Sequence, residues 1–281
     1  MKGLNRIFRL AFAFVVFLSP VHIFAQEKVV RILAIGNSFS MDAVEENLCE
    51  LAAAAGIECE IGNLYIGGCS LERHVENIRG DAADYEYRKI EGPGVRTVRS
   101  GVSVCEALHD GKWDFVSVQQ VSQLSGMFET YESLLPELVD YVKSICPESQ
   151  IIFHQTWAYS SDSTHPGFAN YGNDQLRMYE AIAETSRRVQ STFGIGCVVP
   201  SGTAIQNARQ TSLGDNLDRD GYHLNALGRY AAACAWFGAL FGADVRDNSY
   251  FNPDIDEESQ RIVRLCAYEA VANPFMVKMS E

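Results

Sequence analysis

The sequence predicts an α/β fold, a three-layer α/β/α sandwich around a mostly parallel sheet. Three observations predict it. Short runs at 29–35, 58–66, 114–119, 150–156 and 196–200 alternate with segments whose apolar residues recur at helical spacing. Each run is largely apolar throughout, as strands buried on both faces of a parallel sheet must be. The remaining length suits one domain with a real core, and no linker, low-complexity tract or internal repeat divides it.

Residues 1–25 carry Lys2, Arg6 and Arg9, an apolar core from Leu10 to Leu18, Pro20 and a cleavage site after Ala25. This is the pattern of a secretory signal peptide, too short in its core to span a bilayer comfortably. Residues 26–281 then form the single folded domain. Ile32-Leu33-Ala34-Ile35 ends at Gly36-Asn37-Ser38, and Val44, Leu48, Leu51 and Ala55 share one face of a helix over 41–55. The strand from Cys59 to Ile66 runs into Gly67-Gly68-Cys69-Ser70. A long polar stretch, 71–101, holds Tyr85, Tyr87, Arg88 and Gly92-Pro93-Gly94 and reads as an inserted elaboration, either shaping a pocket or simply solvated. A helix near 102–110 precedes the strand 114–119, which leads into Gln119-Gln120-Val121-Ser122-Gln123. Next come a helix over 131–145, the strand 150–156 with His154 and Trp157 at its end, a helix over 173–192 and the strand 196–200. Helices over 225–242 and 256–271 finish the chain. The first of these sets Leu227, Tyr230, Cys234, Phe237 and Phe241 on one face.

Open α/β sheets bind ligands outside the carboxyl ends of their strands, which is where Ser38 falls, at the start of a helix. It reads as a nucleophile whose own N–H helps hold an oxyanion, or as an ordinary capping serine. A hydroxyl attacks only when a base takes its proton and a third group orients that base. Asp220-Gly221-Tyr222-His223 supplies such a pair three residues apart. Asp162-Ser163-Thr164-His165 repeats the spacing, and His154 is a further rival base. His165 runs at once into Pro166-Gly167 in a Ser-rich loop, whereas His223 follows the last strand and leads into an apolar helix, which favours His223. Trp157, His154 and Asn37 lie at the same face and are expected to bind substrate, the aromatic ring stacking on a sugar or else capping the core.

Gly36-Asn37-Ser38 and Asp220-x-x-His223 resemble the first and last blocks of the SGNH (GDSL-like) hydrolase superfamily, a flavodoxin-like fold. The resemblance spans essentially the whole mature chain. It implies that Ser38, His223 and Asp220 are a catalytic triad and that Gly68, matching the second-block glycine, lines the oxyanion hole. The family's third-block Gly-x-Asn-Asp is missing. Gln123 stands close to that asparagine's place, with Gln120 next, and either carboxamide would donate from one methylene further out. The chain is similar to a branch found among exported bacterial proteins, with Gly-Asn-Ser first and a Gln-rich third block. The implied activity is a serine esterase that removes acyl groups, acetyl above all, from carbohydrates. A carbohydrate-binding protein without turnover and a lipase-like hydrolase of lipid or short-chain esters stay open as alternatives.

Composition narrows the partners. The formal charge is −13, and removing three basic residues and no acidic one with the signal takes it to −16. That repels phosphate backbones and anionic membrane surfaces and suits a periplasmic or secreted protein with no stable membrane anchor. The eight cysteines show no CxxC and no zinc-like spacing, and read mainly as small buried hydrophobes, with one or two disulfides conceivable after export. The implied triad chemistry calls for no metal or organic cofactor, and the acidic charge, with no Gly-rich phosphate loop or carboxylate metal cluster, argues against a phosphoesterase.

Overall fold

Residues Val30–Gly36 form β1, whose side chains alternate between two cores: Ile32 and Ala34 face one, Leu33 and Ile35 the other. The computed structural model describes residues 29–278, so the predicted signal segment 1–25 lies outside the described residues. After β1 come two short helices, α1 (Ser38–Val44) and α2 (Leu48–Ala54), and then β2 (Cys59–Tyr65). Helix α3 (Leu71–Gly80) leads to the hairpin of β3 (Tyr85–Ile90) and β4 (Arg96–Val102). The chain continues through α4 (Val104–His109), β5 (Phe115–Val118), α5 (Leu134–Ile145), β6 (Gln150–His154), α6 (Gln175–Phe193), β7 (Cys197–Val199) and α7 (Ser201–Arg209). It ends with α8 (Ala226–Phe241) and α9 (Glu257–Ala272).

The strand order is β4-β3-β2-β1-β5-β6-β7. Strands β2, β1, β5, β6 and β7 pair in parallel, and the β3–β4 hairpin continues the sheet antiparallel at one edge. The expected α/β sandwich on a mostly parallel sheet is therefore what forms. From β1 the chain steps first to β2 on one side and later to β5 on the other, so the carboxyl end of β1 beside β5 is a topological switch point. Ser38 begins there.

Three segments differ from the sequence reading. The helix expected over 41–55 breaks at Asn47, which takes a left-handed conformation (φ 68°) while its side-chain oxygen accepts from Asn252 at 2.7 Å and from Tyr250 at 3.2 Å. The stretch 71–101 is no loop. Ser70 caps α3 by accepting from the Arg73 N–H, and Tyr85 and Tyr87 bury on one face of β3 while Glu86 and Arg88 stay half-buried on the other. Helix α7 was not expected at all, because it is buried on every side and has no apolar stripe to betray it. Its polar groups find interior partners: Thr203 donates to the Pro274 carbonyl at 2.6 Å and Asn207 to that of Cys266 at 3.1 Å.

All eight cysteines are free thiols, five of them buried. Among the described residues no helix is long and apolar enough to cross a membrane.

Candidate active site

Ser38 is the first residue of α1, and its N–H, like every N–H in a first helical turn, has no acceptor within the helix. Asn37 caps that helix, its Oδ1 accepting the Phe39 N–H at 2.9 Å. Ser38 Oγ lies 2.9 Å from His223 Nε2, and His223 Nδ1 lies 2.7 Å from Asp220 Oδ2. The other Asp220 oxygen accepts the His223 N–H at 2.8 Å. Partial burial works against the Asp220 charge, but the hydrogen bonds from the His223 ring and backbone and from the Tyr222 N–H hold its carboxyl below the usual carboxylate range. An ionised Asp220 accepts the Nδ1 proton, which leaves the Nε2 lone pair of a neutral ring facing the serine hydroxyl.

The loop that carries this pair is tied to the helix that carries Ser38. Asp42, on α1 and wholly buried, accepts from the Leu224 N–H at 2.9 Å, from Arg229 Nε at 2.9 Å and from Arg219 Nη1 at 3.1 Å. Arg219 also donates to the Leu224 carbonyl. Within the loop, the Arg219 N–H reaches the His223 carbonyl at 2.9 Å, and Trp157 Nε1 holds the Tyr222 carbonyl at 2.8 Å. Gly221 takes φ 90° against Ser160 and Ser163, a turn that glycine makes without strain.

Behind Ser38 runs a buried polar chain whose direction is determined at every link. Asn37 Oδ1 already accepts a backbone N–H, so the Gln119 contact to it at 2.9 Å must be donated by Gln119 Nε2. Gln119 Oε1 is therefore the acceptor for His154 Nδ1–H at 2.8 Å, and His154 Nε2 accepts from the Ser201 hydroxyl at 3.1 Å. At the other end Asn37 Nδ2 donates to the Cys69 carbonyl at 3.0 Å, clamping the Gly67-Gly68 turn against Ser38.

Packing at Gly36 makes this arrangement intolerant of added bulk. A Cβ there would come within 2.4 Å of Ser40 Oγ and 3.1 Å of Gln119 Oε1. Gly36→Ala is expected to cost about 1–3 kcal/mol, the usual range for overpacking, and to lower kcat by displacing Asn37 and Ser38. Urea unfolding and steady-state rates measure the two effects, and a variant as stable and as active as wild type would refute the close-packing argument.

Burial pushes the His154 pKa down from 6.5 to about 3, and burial with the nearby Arg73 charge does the same to His74. Because the folded values lie below the unfolded one, the unfolded chain binds protons that the folded chain refuses. The stability from keeping these rings neutral is complete above pH 6.5 and is lost as the pH falls toward 3, with a slope of up to about 1.4 kcal/mol per pH unit per histidine. Unfolding at a series of pH values should show this, and His154→Gln should lessen the slope by one histidine's share. Parallel curves for wild type and variant would contradict it.

Several residues expected in the site lie elsewhere. Trp157 is wholly buried and stacks on Phe39 at 4.2 Å between ring centres, so it supports the helix under Ser38 and offers no face to a sugar. His154 is equally buried and belongs to the polar chain, where it meets neither Ser38 nor a substrate. Gln120 turns inward: its oxygen accepts the Leu71 and Val121 N–H groups and its nitrogen reaches Thr130, so it is no oxyanion donor. Asn37 borders the cleft, but its carboxamide is bonded to Phe39, Gln119 and Cys69 and holds the walls together. Ser38, His223, Gly68 and Gln123 do meet around one cleft of about 250 Å³, with Tyr65, Tyr222 and His165 completing its walls. The spacing argument missed Gln119, Asp42 and Arg219. Gln119 is the first polar residue after the third apolar run, next to Gln120, and that position is the signal by which it can be found.

Among the described residues no group of three or more His, Cys, Asp or Glu side chains is arranged to hold a metal ion. Residues 31–270 match a domain of unknown function, DUF4886. A DUF4886 family protein from Bacteroides uniformis is 47% identical, with 89% of this chain and 98% of that one aligned at a TM-score of 0.88. A candidate GDSL-like lipase from Parabacteroides merdae superposes at a TM-score of 0.53 with 17% identity, over 75% of this chain and 95% of its own. An alpha/beta hydrolase enzyme from the metagenome of Lake Arreo, Spain, does so at 0.50 with 15% identity, over 74% and 94%. At such identities the last two likenesses speak to the fold alone. No curated protein matches the sequence. From residue 31 to residue 270 the chain belongs to the DUF4886 family, and its α/β fold is shared with GDSL-like hydrolases.

Proposed function

We propose that this protein is a serine ester hydrolase that acts outside the cytoplasm and removes short acyl groups, acetyl foremost, from carbohydrate alcohols. The observation that carries the reading is the unbroken contact from Ser38 Oγ through His223 to Asp220, made by residues 185 positions apart in the chain. Ser38 Oγ attacks the ester carbonyl while His223 Nε2 takes its proton, and Asp220 stabilises the imidazolium that forms. The N–H groups of Ser38 and Gly68 and the Gln123 carboxamide receive the oxyanion. His223 returns the proton to the departing alkoxide, and water then releases the acyl group from Ser38 by the same steps. A cleft of about 250 Å³ favours a short acyl group. Export rests on the signal pattern of residues 1–25.

The test is hydrolysis of p-nitrophenyl acetate, butyrate and octanoate and of an acetylated oligosaccharide by the mature protein, together with labelling by a fluorophosphonate. Rates should fall with acyl length, and the label should map to Ser38. A protein that cleaves none of these esters and takes up no label would overturn the assignment.

A further inference from the structure

His165 shares the cleft with Ser38 yet has no part in the reaction as described. It lies on the loop between β6 and α6, where its Nδ1 accepts the Gly167 N–H at 3.1 Å. An accepting Nδ1 puts the proton of the neutral ring on Nε2, and among the described residues nothing hydrogen-bonds that Nε2. Burial lowers its pKa from the ordinary histidine value, which favours the neutral ring near pH 7. His165 therefore presents a fixed N–H donor rather than a second base.

Its neighbours give the donor a side of the cleft. The Tyr222 ring lies 4.2 Å from the His223 ring, and the His165 ring lies 4.8 Å from Tyr222 on an edge-to-face approach. The three rings form one wall. His223 must hand its proton to the leaving oxygen, so this wall borders the alcohol and not the acyl group. The loop is firmly placed as well: Asn170 donates to the Gln123 carbonyl at 3.0 Å, and Gly167 sits so close to Gln123 that a Cβ would come within 2.3 Å of its side chain. A donor held in advance gains more from each hydrogen bond than a mobile one.

Resting on the esterase reading, we propose that His165 and Tyr222 form an alcohol-side subsite in which His165 Nε2–H holds a hydroxyl of a polyhydroxylated leaving alcohol. The enzyme then selects sugar esters over alkyl esters of the same acid, since a site built to bond a hydroxyl discriminates against a partner that lacks it.

The experiment compares ethyl acetate with a mono-O-acetylated methyl glucoside, using wild type, His165→Ala and His165→Gln. His165→Ala should lower kcat/KM for the glucoside ester by about 10–100-fold, mainly through KM, and at least ten times more than for ethyl acetate. His165→Gln keeps an N–H donor and should recover part of the loss. In a Ser38→Ala background, where no turnover occurs, calorimetry should show His165→Ala weakening the glucoside ester about 10-fold or more. Equal losses on both esters, no loss on either, or a dissociation constant indifferent to His165 would each overturn the subsite. So would a failure of the Ser38→Ala protein to bind the glucoside ester. If wild type cleaves neither ester but binding still depends on His165, the subsite stands and the esterase reading falls. If ethyl acetate is cleaved and sugar binding ignores His165, the reverse holds.

Discussion

Ser38→Ala is expected to lower kcat for p-nitrophenyl acetate by about 10⁴–10⁶-fold, the range seen when a triad nucleophile is removed. The loss is large because Ser38 is the cleft serine in contact with His223, Ser122 being bonded to Tyr159 instead, while the remaining N–H donors still polarise a bound carbonyl. His223→Ala should cost about as much, and the double variant little more than either single one, since a triad acts as a unit. Asp220→Asn should fall by about 10⁴, because a carboxamide that gives its N–H to Nδ1 would force the proton onto Nε2 and turn the base away from Ser38. Stability should hardly move in Ser38→Ala, as the residue is half-buried and, among the described residues, its hydroxyl bonds only to His223. Single-turnover kinetics with purified variants, free of contaminating esterase, make the comparison. A Ser38→Ala protein with more than a tenth of wild-type kcat would remove Ser38 from the mechanism.

Asp42→Ala should be the most damaging change outside the triad. The Asp42 carboxylate is wholly buried and receives the Leu224 N–H and the guanidinium groups of Arg219 and Arg229. Removing it leaves two cations and a backbone N–H facing an empty space. Breaking such a buried pair from one side costs about 3–5 kcal/mol, a large part of the stability of a typical domain. The same loss reaches the chemistry, because Leu224 follows His223 and Arg219 precedes Asp220. A displacement of about 1 Å in a catalytic group costs roughly 10²-fold in rate, so kcat should drop while KM for a small ester changes little. Asp42→Asn, which keeps the shape and one acceptor, should recover part of both losses. Urea unfolding at constant m, with kcat and KM measured separately, tests this. A loss below about 1 kcal/mol would mean that the arginines find other partners.

The parts of the fold that were legible are those whose pattern is local. β1, β2, β5 and β6 announce themselves as largely apolar runs because both faces are covered. The edge hairpin escaped notice because β4 is exposed along nearly its whole length, and charged edges show no alternation. Its partner did carry a period of two in Tyr85 and Tyr87, with Gly92-Pro93-Gly94 as the turn, and that signal was readable. Helix α7 left no trace, since a segment buried on every side, its polar side chains bonded to interior partners, has neither stripe nor charge pattern.

By itself the sequence determined the α/β class, the place of Ser38 at a strand's carboxyl end and the pairing of Asp220 with His223, all of which depend on residues within a few positions of one another. The sequence context favoured His223 over His154 and His165, but only the tertiary structure shows what each of the three histidines does instead of, or as, a base. Burial takes His154 into a polar chain, a lone pair engaged with Gly167 makes His165 a donor, and the Asp42 anchor brings His223 within 2.9 Å of the serine. It likewise turned Gln120 inward and left Gln123 at the cleft. Which way a side chain faces depends on neighbours such as Gln119 for His154 and Ser38 for His223, brought together from 35 and 185 positions away, and no local pattern encodes that meeting.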